Sequence, residues 1–136
     1  MRYMLDTDTL IYVLNARPRH EAVLQRFDRE PRRDLVVSAI TLAELRFGIA
    51  KSRKREAARL AMQRVCDGLN AVAFEQTAAA RYGDVRATLE ASGSPIGPLD
   101  TLIAAHALSL RLTLVTGNLR EFSRVPGLHC ESWLPG

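Results

Sequence analysis

A chain of 136 residues with 47% hydrophobic and 25% charged side chains has the balance of one folded domain, with no low-complexity stretch and no internal repeat. No segment approaches the roughly 20 apolar residues of a membrane span. Asp6 and Asp8 interrupt the N-terminus where a signal peptide needs a clean apolar region, and two cysteines build no disulfide scaffold, so the expectation is a cytoplasmic, unprocessed protein. The net charge of +4 is uneven: residues 1–70 hold 14 Lys/Arg against 9 Asp/Glu, and residues 71–136 hold 5 against 6. Clusters at Arg17/Arg19, Arg29/Arg32/Arg33 and Lys51/Arg53/Lys54/Arg55 suit a solvated surface, and also a face that attracts phosphates.

Arg2–Leu5 is a short apolar run ending at Asp6 and reads as a first strand. Thr9–Asn15 reads as a helix, with Leu10, Val13 and Leu14 on one side. Pro18 breaks the chain, His20–Arg29 is helical through Val23, Leu24 and Phe27, and Pro31 ends it. Leu35–Ser38 is a second buried strand. Thr41–Lys51 follows as a helix with the stripe Leu42, Leu45 and Ile49, then Glu56–Leu69 as another. Ala71–Phe74 is a short strand. Thr77–Ala91 is a helix along Ala78, Tyr82, Val85 and Leu89, with Gly93 where a C-terminal cap belongs. Pro98 opens the helix Leu99–Leu110. Leu112–Thr116 is a strand, and Leu128–Glu131 a short last one. Strands alternate with helices and several are uninterrupted apolar runs. The expectation is one α/β domain with a parallel sheet covered on both faces.

In such sheets ligands bind beyond the carboxyl ends of the strands. Asp6 and Asp8 follow the first strand. Thr116, Gly117 and Asn118 follow Leu112–Thr116. Glu44 lies early in the helix after the second strand, and Asp100 in the first turn of its helix. Each has a plain structural explanation: Thr41-Leu-Ala-Glu44 fits a capping box, Asp100 suits a helix dipole, Asp8 could cap the helix at Thr9, and Thr116–Asn118 could be an ordinary turn. Asp6 is harder to explain, because an acid ending a buried strand is costly without a partner. Several carboxylates at one edge repel one another unless a cation intervenes. A hard dication with oxygen ligands, Mg²⁺ or in its place Mn²⁺, fits that set. The histidines form no zinc-like pair, and His106 falls on the core stripe of its helix.

Four blocks then stand out: Tyr3-Met-Leu-Asp6-Thr-Asp8-Thr-Leu-Ile, Ser38-Ala-Ile-Thr-Leu-Ala-Glu44-Leu-Arg-Phe-Gly-Ile, Pro98-Leu-Asp100-Thr-Leu-Ile-Ala-Ala, and Leu114-Val-Thr116-Gly-Asn118-Leu-Arg-Glu-Phe. Together they resemble the PIN-domain nucleases, with the nearest likeness to the VapC toxins of bacterial VapBC toxin–antitoxin pairs. The resemblance implies a three-layer α/β/α fold with a short, mostly parallel sheet and a Mg²⁺-dependent endoribonuclease neutralised by a VapB antitoxin. It carries the site over to Asp6, Glu44, Asp100 and Asn118. Asp6 and Asp100 would hold the metal, with Glu44 assisting, and Asn118 stands where the family often has Asp. Asp8 and Thr116 would orient these groups. Attack at phosphorus would need no ribose 2′-hydroxyl. Lys51, Arg53, Lys54 and Arg55 are candidates for binding the RNA backbone, and the RNA would be structured, with tRNA one option. The family also implies a homodimer and an antitoxin groove near Thr41–Leu69. Phe47, Ile49 and Leu60 are candidates for that groove, although ordinary core explains them as well.

Two other readings remain open. Asn118 leaves room for a non-catalytic RNA- or partner-binding module with the same fold. A dehalogenase-like phosphatase also has Asp-x-Asp after a first strand, but the phosphate-binding Lys of such enzymes has no obvious counterpart.

Overall fold

The apolar runs predict alternation of strand and helix, and the chain alternates from its first residues. In the computed structural model, which describes residues 1–136, β1 (Tyr3–Leu5) leads into α1 (Thr7–Leu14) and α2 (His20–Arg29). A 3-10 turn at Arg32–Asp34 precedes β2 (Leu35–Ser38), α3 (Ala39–Lys51) and α4 (Arg55–Cys66). Next come β3 (Asn70–Val72), α5 (Gln76–Ala91), α6 (Pro98–Leu110), β4 (Thr113–Val115), α7 (Leu119–Phe122) and β5 (Cys130–Glu131). The five strands form one sheet in the order β3-β2-β1-β4-β5, and every neighbouring pair is parallel.

The sheet separates two cores, as the two-residue period of a strand requires. Tyr3, Leu5, Leu35, Val37 and Val115 pack with α1, α2, α3 and α4 on one face. Met4, Val36 and Leu114 pack with α5, α6 and Phe122 on the other. This is the three-layer α/β/α arrangement. The first three strands run outward to one side of β1, and β4 and β5 lie on its other side. The strand order therefore reverses between β1 and β4, where a crevice opens at the carboxyl ends. Asp6 and Thr116 are the residues that follow those two strands.

The helix ends show where sequence reading misses. α1 starts at Thr7, so Asp8 sits inside its first turn and does not cap it. α3 starts at Ala39, capped by the Ser38 hydroxyl, which accepts from the Ile40 N–H at 3.0 Å. The expected Thr41–Glu44 capping box does not form, because Ser38 already ends the strand in an extended conformation and takes the cap. The expected helix Glu56–Leu69 ends at Cys66, the first strand shortens to Tyr3–Leu5, and β5 shrinks to Cys130–Glu131. Gly93 does close α5 with a positive φ of 70°, its N–H on Glu90 O and the Ser94 N–H on Leu89 O.

Buried His106 packs as its position on the α6 stripe predicts, with Nδ1 2.8 Å from Ser38 Oγ and its ring edge-on to Phe74. Near the C-terminus, Trp133 sits against Tyr3 with ring centroids 5.0 Å apart, and the Arg26 guanidinium lies 4.6 Å from its ring. That anchor brings Leu134 over the turn after β4. No helix is long and apolar enough to cross a membrane.

Candidate active site

Asp6 is the last residue before α1 and is only 3% exposed. Its N–H closes the β1–β4 ladder on Val115 O, which fixes the backbone at the crevice. Thr116, also buried, donates its hydroxyl proton to Asp6 Oδ2 at 2.8 Å and accepts the Asn118 N–H at 3.0 Å. Asp6 Oδ1 is buried and receives no hydrogen bond. Burial first, then the neighbouring Asp8 charge, raise the Asp6 carboxyl to about 8. Hydrogen bonds from Thr116 and the Thr7 backbone pull it down less than these push it up. Asp6 therefore holds a proton near neutral pH unless a cation replaces it.

Asp8 reaches across the crevice. Its Oδ2 accepts the Gly117 N–H at 3.1 Å, and Oδ1 lies 3.3 Å from the hydroxyls of both Thr9 and Thr116. Glu44, on α3, accepts the Thr7 hydroxyl of α1 at 2.7 Å. Thr7 and Thr41 hydroxyls stand 3.1 Å apart behind it. Asp100 lies in the first turn of α6, where a helix dipole favours a charged carboxylate. Its carboxyl is nevertheless raised to about 6, by partial burial and by the charges of Glu121, Glu44 and Asp8. Burial and the neighbouring acids outweigh any help from the helix end.

Glu121 is the residue that sequence reading missed. It lies on the four-residue α7, and the Asn118 side-chain amide donates to its Oε2 at 3.1 Å. It is the strongest charge acting on Asp100. Asn118 thus directs an acid and supplies no charge of its own. The only sequence signal was a Glu three residues beyond Asn118, at the spacing of one helical turn.

The acids form two overlapping sets. Asp6 feels Asp8, while Asp100 feels Glu121, Glu44 and Asp8. Asp8 belongs to both. None of the five takes part in an ion pair, since the chain's salt bridges join other residues. The oxygens are not drawn into a ready-made cage: no three Asp, Glu, His or Cys side chains stand at metal-ligand spacing. Carboxylates without a counter-charge repel one another. A divalent cation fits the donor set on two grounds. All the offered groups are hard oxygens, and the unpartnered Asp6 Oδ1 is a buried acceptor that a cation would satisfy.

A groove of about 770 Å³ opens from Thr7 and Glu44 along α3 toward Met62 of α4. Phe47 and Ile49 line it. Core packing does not explain Phe47 or Leu60, which are 65% and 38% exposed, whereas Ile49 does pack on the core. Leu60 lies outside the groove lining because α4 turns it to solvent. Lys51 also lines the groove, and Arg53, Lys54 and Arg55 continue from it as exposed side chains.

A family model described as the PIN domain matches residues 3–128. The chain is 38% identical over 133 residues to the tRNA(fMet)-specific endonuclease VapC of Salmonella typhimurium, covering 98% of each chain. It is 40% identical over 134 residues to ribonuclease VapC2 of Haemophilus influenzae, covering 98% of this chain and 99% of that one. Among solved structures, VapBC2 from Rickettsia felis bound to a DNA fragment from its promoter superposes with a TM-score of 0.91 at 34% identity. It covers 98% of this chain and all of that one. DNA-bound VapBC from Salmonella typhimurium gives a TM-score of 0.92 at 37% identity, over 98% and 99% of the two chains.

Proposed function

Because the chain belongs to the PIN-domain family, we propose that it is a ribonuclease, the toxin of a toxin–antitoxin pair, whose activity a VapB-type antitoxin neutralises. The observation that carries this reading is Asp6, a nearly fully buried acid with an unpartnered oxygen, set at the crevice beside Asp8, whose charge also reaches Asp100 with those of Glu44 and Glu121. Whole-length relatives named as ribonucleases support the same reading. The RNA is a structured one, with tRNA the first to test, since one relative carries that substrate in its name.

Asp6 and Asp100 would hold a divalent cation, Mg²⁺ with Mn²⁺ as a substitute, and Glu44 and Glu121 would assist. Bound there, the cation supplies positive charge to a phosphodiester and makes a water easier to deprotonate. The chain's own groups do the rest. Thr116 holds Asp6 by Oδ2, and Oδ1 is left without a partner. Asp8, fixed by the Gly117 N–H, keeps negative charge on both acid sets. Thr7 holds Glu44, and Asn118 holds Glu121. Asp100 carries the neighbouring charges of Glu121, Glu44 and Asp8, a repulsion that a bound cation would relieve. Lys51, Arg53, Lys54 and Arg55 attract the RNA backbone.

The apolar floor of the α3–α4 groove, around Leu45, Ile49 and Met62, is the seat for the antitoxin, beside the acids. On this reading the whole chain acts as one domain and two copies pair. The test is cleavage of total RNA with Mg²⁺ present by the wild-type chain, Asp6→Ala and Asp100→Ala, with EDTA and excess antitoxin as further arms. Wild type should cleave, and each substitution, EDTA and the antitoxin should abolish cleavage. Full activity in either variant defeats the site assignment.

A further inference from the structure

Phe47 is the most exposed large apolar side chain, at 65%, and it stands on α3 one turn beyond Glu44. Its ring has Lys51 Nζ 5.1 Å from its centroid, one further turn along. Phe47, Glu44, Lys51, Leu99 and Ile11 all line one groove, and Leu99 and Ile11 are themselves 45% and 40% exposed. Leu99 directly precedes Asp100, and Ile11 lies three residues after Asp8. Glu44 thus opens onto an apolar wall with an aromatic ring and a cation over it.

We propose that Phe47 is a stacking platform for an unpaired nucleobase of the RNA next to the bond that is cut, with Lys51 on the adjoining phosphate. This rests on the ribonuclease reading above and adds the part of the substrate that α3 recognises. Residues three apart on a helix have Cβ atoms about 5–6 Å apart. That spacing suits a nucleotide whose phosphate lies at Glu44 and whose base lies on the ring. Just past the end of α3, the exposed Arg53, Lys54 and Arg55 of the α3–α4 connection and the start of α4 follow Lys51, which suits a polyanion leaving the site. An apolar peptide needs the ring and the floor of the groove, but it has no use for the Lys51 cation, which lies over the ring and which a phosphate would draw aside. A base flanked by phosphates uses both. An unpaired base also fits the way RNA is told apart, through splayed bases stacked on aromatic side chains.

The experiment is steady-state cleavage with Mg²⁺ of an RNA hairpin with an unpaired loop, and of the same hairpin with loop positions made abasic one at a time. Wild type, Phe47→Ala and Phe47→Trp are compared, and inhibition by the antitoxin is read in parallel. The exposure of Phe47 lets both variants fold, which thermal melting verifies. Phe47→Ala should raise KM about tenfold or more with kcat nearly unchanged, and Phe47→Trp should keep the wild-type KM. One abasic position should raise the wild-type KM and leave that of Phe47→Ala where it was. An unchanged KM in Phe47→Ala, beside normal wild-type cleavage, overturns this proposal alone. The same holds if Phe47→Ala loses only its inhibition by the antitoxin, which would make the ring a peptide contact. No cleavage by wild type overturns the ribonuclease reading, and this proposal with it.

Discussion

Thr7 donates its hydroxyl proton to Glu44 over 2.7 Å, and this bond ties the first turn of α1 to the second turn of α3. Thr7 is 7% exposed and Glu44 half-buried, so the bond is partly shielded from water and its loss is felt. Thr7→Val keeps the shape and removes the donor. Cleavage should fall about 10- to 100-fold, as for supporting groups around a metal site. Stability should fall by about 1 kcal/mol, the cost of a lost buried hydrogen bond. Parallel measurement of kcat and of the melting midpoint separates the two effects. Wild-type kcat in this variant would remove Glu44 orientation from the mechanism.

Asp6 gives the site a pH signature without metal. Its carboxyl is raised from the ordinary 3.8 to about 8, chiefly by burial and then by Asp8. Between those values the folded chain keeps a proton that the unfolded chain has released. Its contribution to stability is therefore complete below about pH 4 and is lost as pH rises toward 8. Asp100, raised to about 6, acts in the same direction over a narrower window. In EDTA, Asp6→Asn should melt higher than wild type at pH 8, with the difference shrinking toward pH 5. Cleavage should be absent in the same variant. A lower melting point at pH 8 would mean that Asp6 is already compensated inside the protein.

The same protons bear on the cation. Binding it requires ionised ligands, so Mg²⁺ affinity should rise between pH 6 and 8, with protons released on binding. Calorimetric titration in two buffers of different ionisation enthalpy measures that release. Asp6→Asn should remove most of it. Mg²⁺ should also raise the wild-type melting point more at pH 8 than at pH 6. Binding independent of pH would contradict the ligand assignment.

The backbone frame and the main acids were legible in the sequence because each follows from local pattern. Asp6 ends an apolar strand, and Asp100 follows a Pro that opens a helix, so both fall at the carboxyl edge once the sheet is parallel. What stayed hidden depends on contacts between distant residues. The sequence offers Asp8 both a helix cap and an orienting role, but not the N–H of Gly117, 109 residues away, that holds it. It offers Glu44 both a capping box and a place in the site, but not the Thr7 hydroxyl that holds it. Phe47 reads as core as readily as groove, because α3 carries apolar residues such as Ile40 outside its Leu42, Leu45 and Ile49 stripe, so nothing in the pattern marks the exposed face. Glu121 lies on a helix of four residues, too short to show any period.

Glu121 and Asn118 should act as one unit. Glu121→Gln removes the largest charge acting on Asp100, so the acid limb of the pH–rate profile should move to lower pH. kcat should fall about tenfold. Asn118→Ala frees the Glu121 carboxylate and should produce a smaller fall. The double variant should be no worse than Glu121→Gln alone, because Asn118 acts through the acid. Additive losses would show that Asn118 contributes independently, as the family position suggests.

Gly117 is set by space, since both neighbours on its Cα side are already in place. An added Cβ would collide with the Leu134 side chain and sit 3.3 Å from Asp8 Oδ2. Leu134 is held there because Trp133 is pinned between Tyr3 and Arg26, so the tail has little freedom to retreat. Gly117→Ala should therefore cost about 1–2 kcal/mol of stability. It should also disturb the N–H that fixes Asp8. Leu134→Ala in the same chain opens the collision but leaves the tight approach to Asp8. The double variant should recover its melting point while its cleavage stays below that of Leu134→Ala alone. Recovery of both would place the whole effect in the tail. Recovery of neither would mean that the turn itself, with Thr116 and Asn118 on either side, had moved.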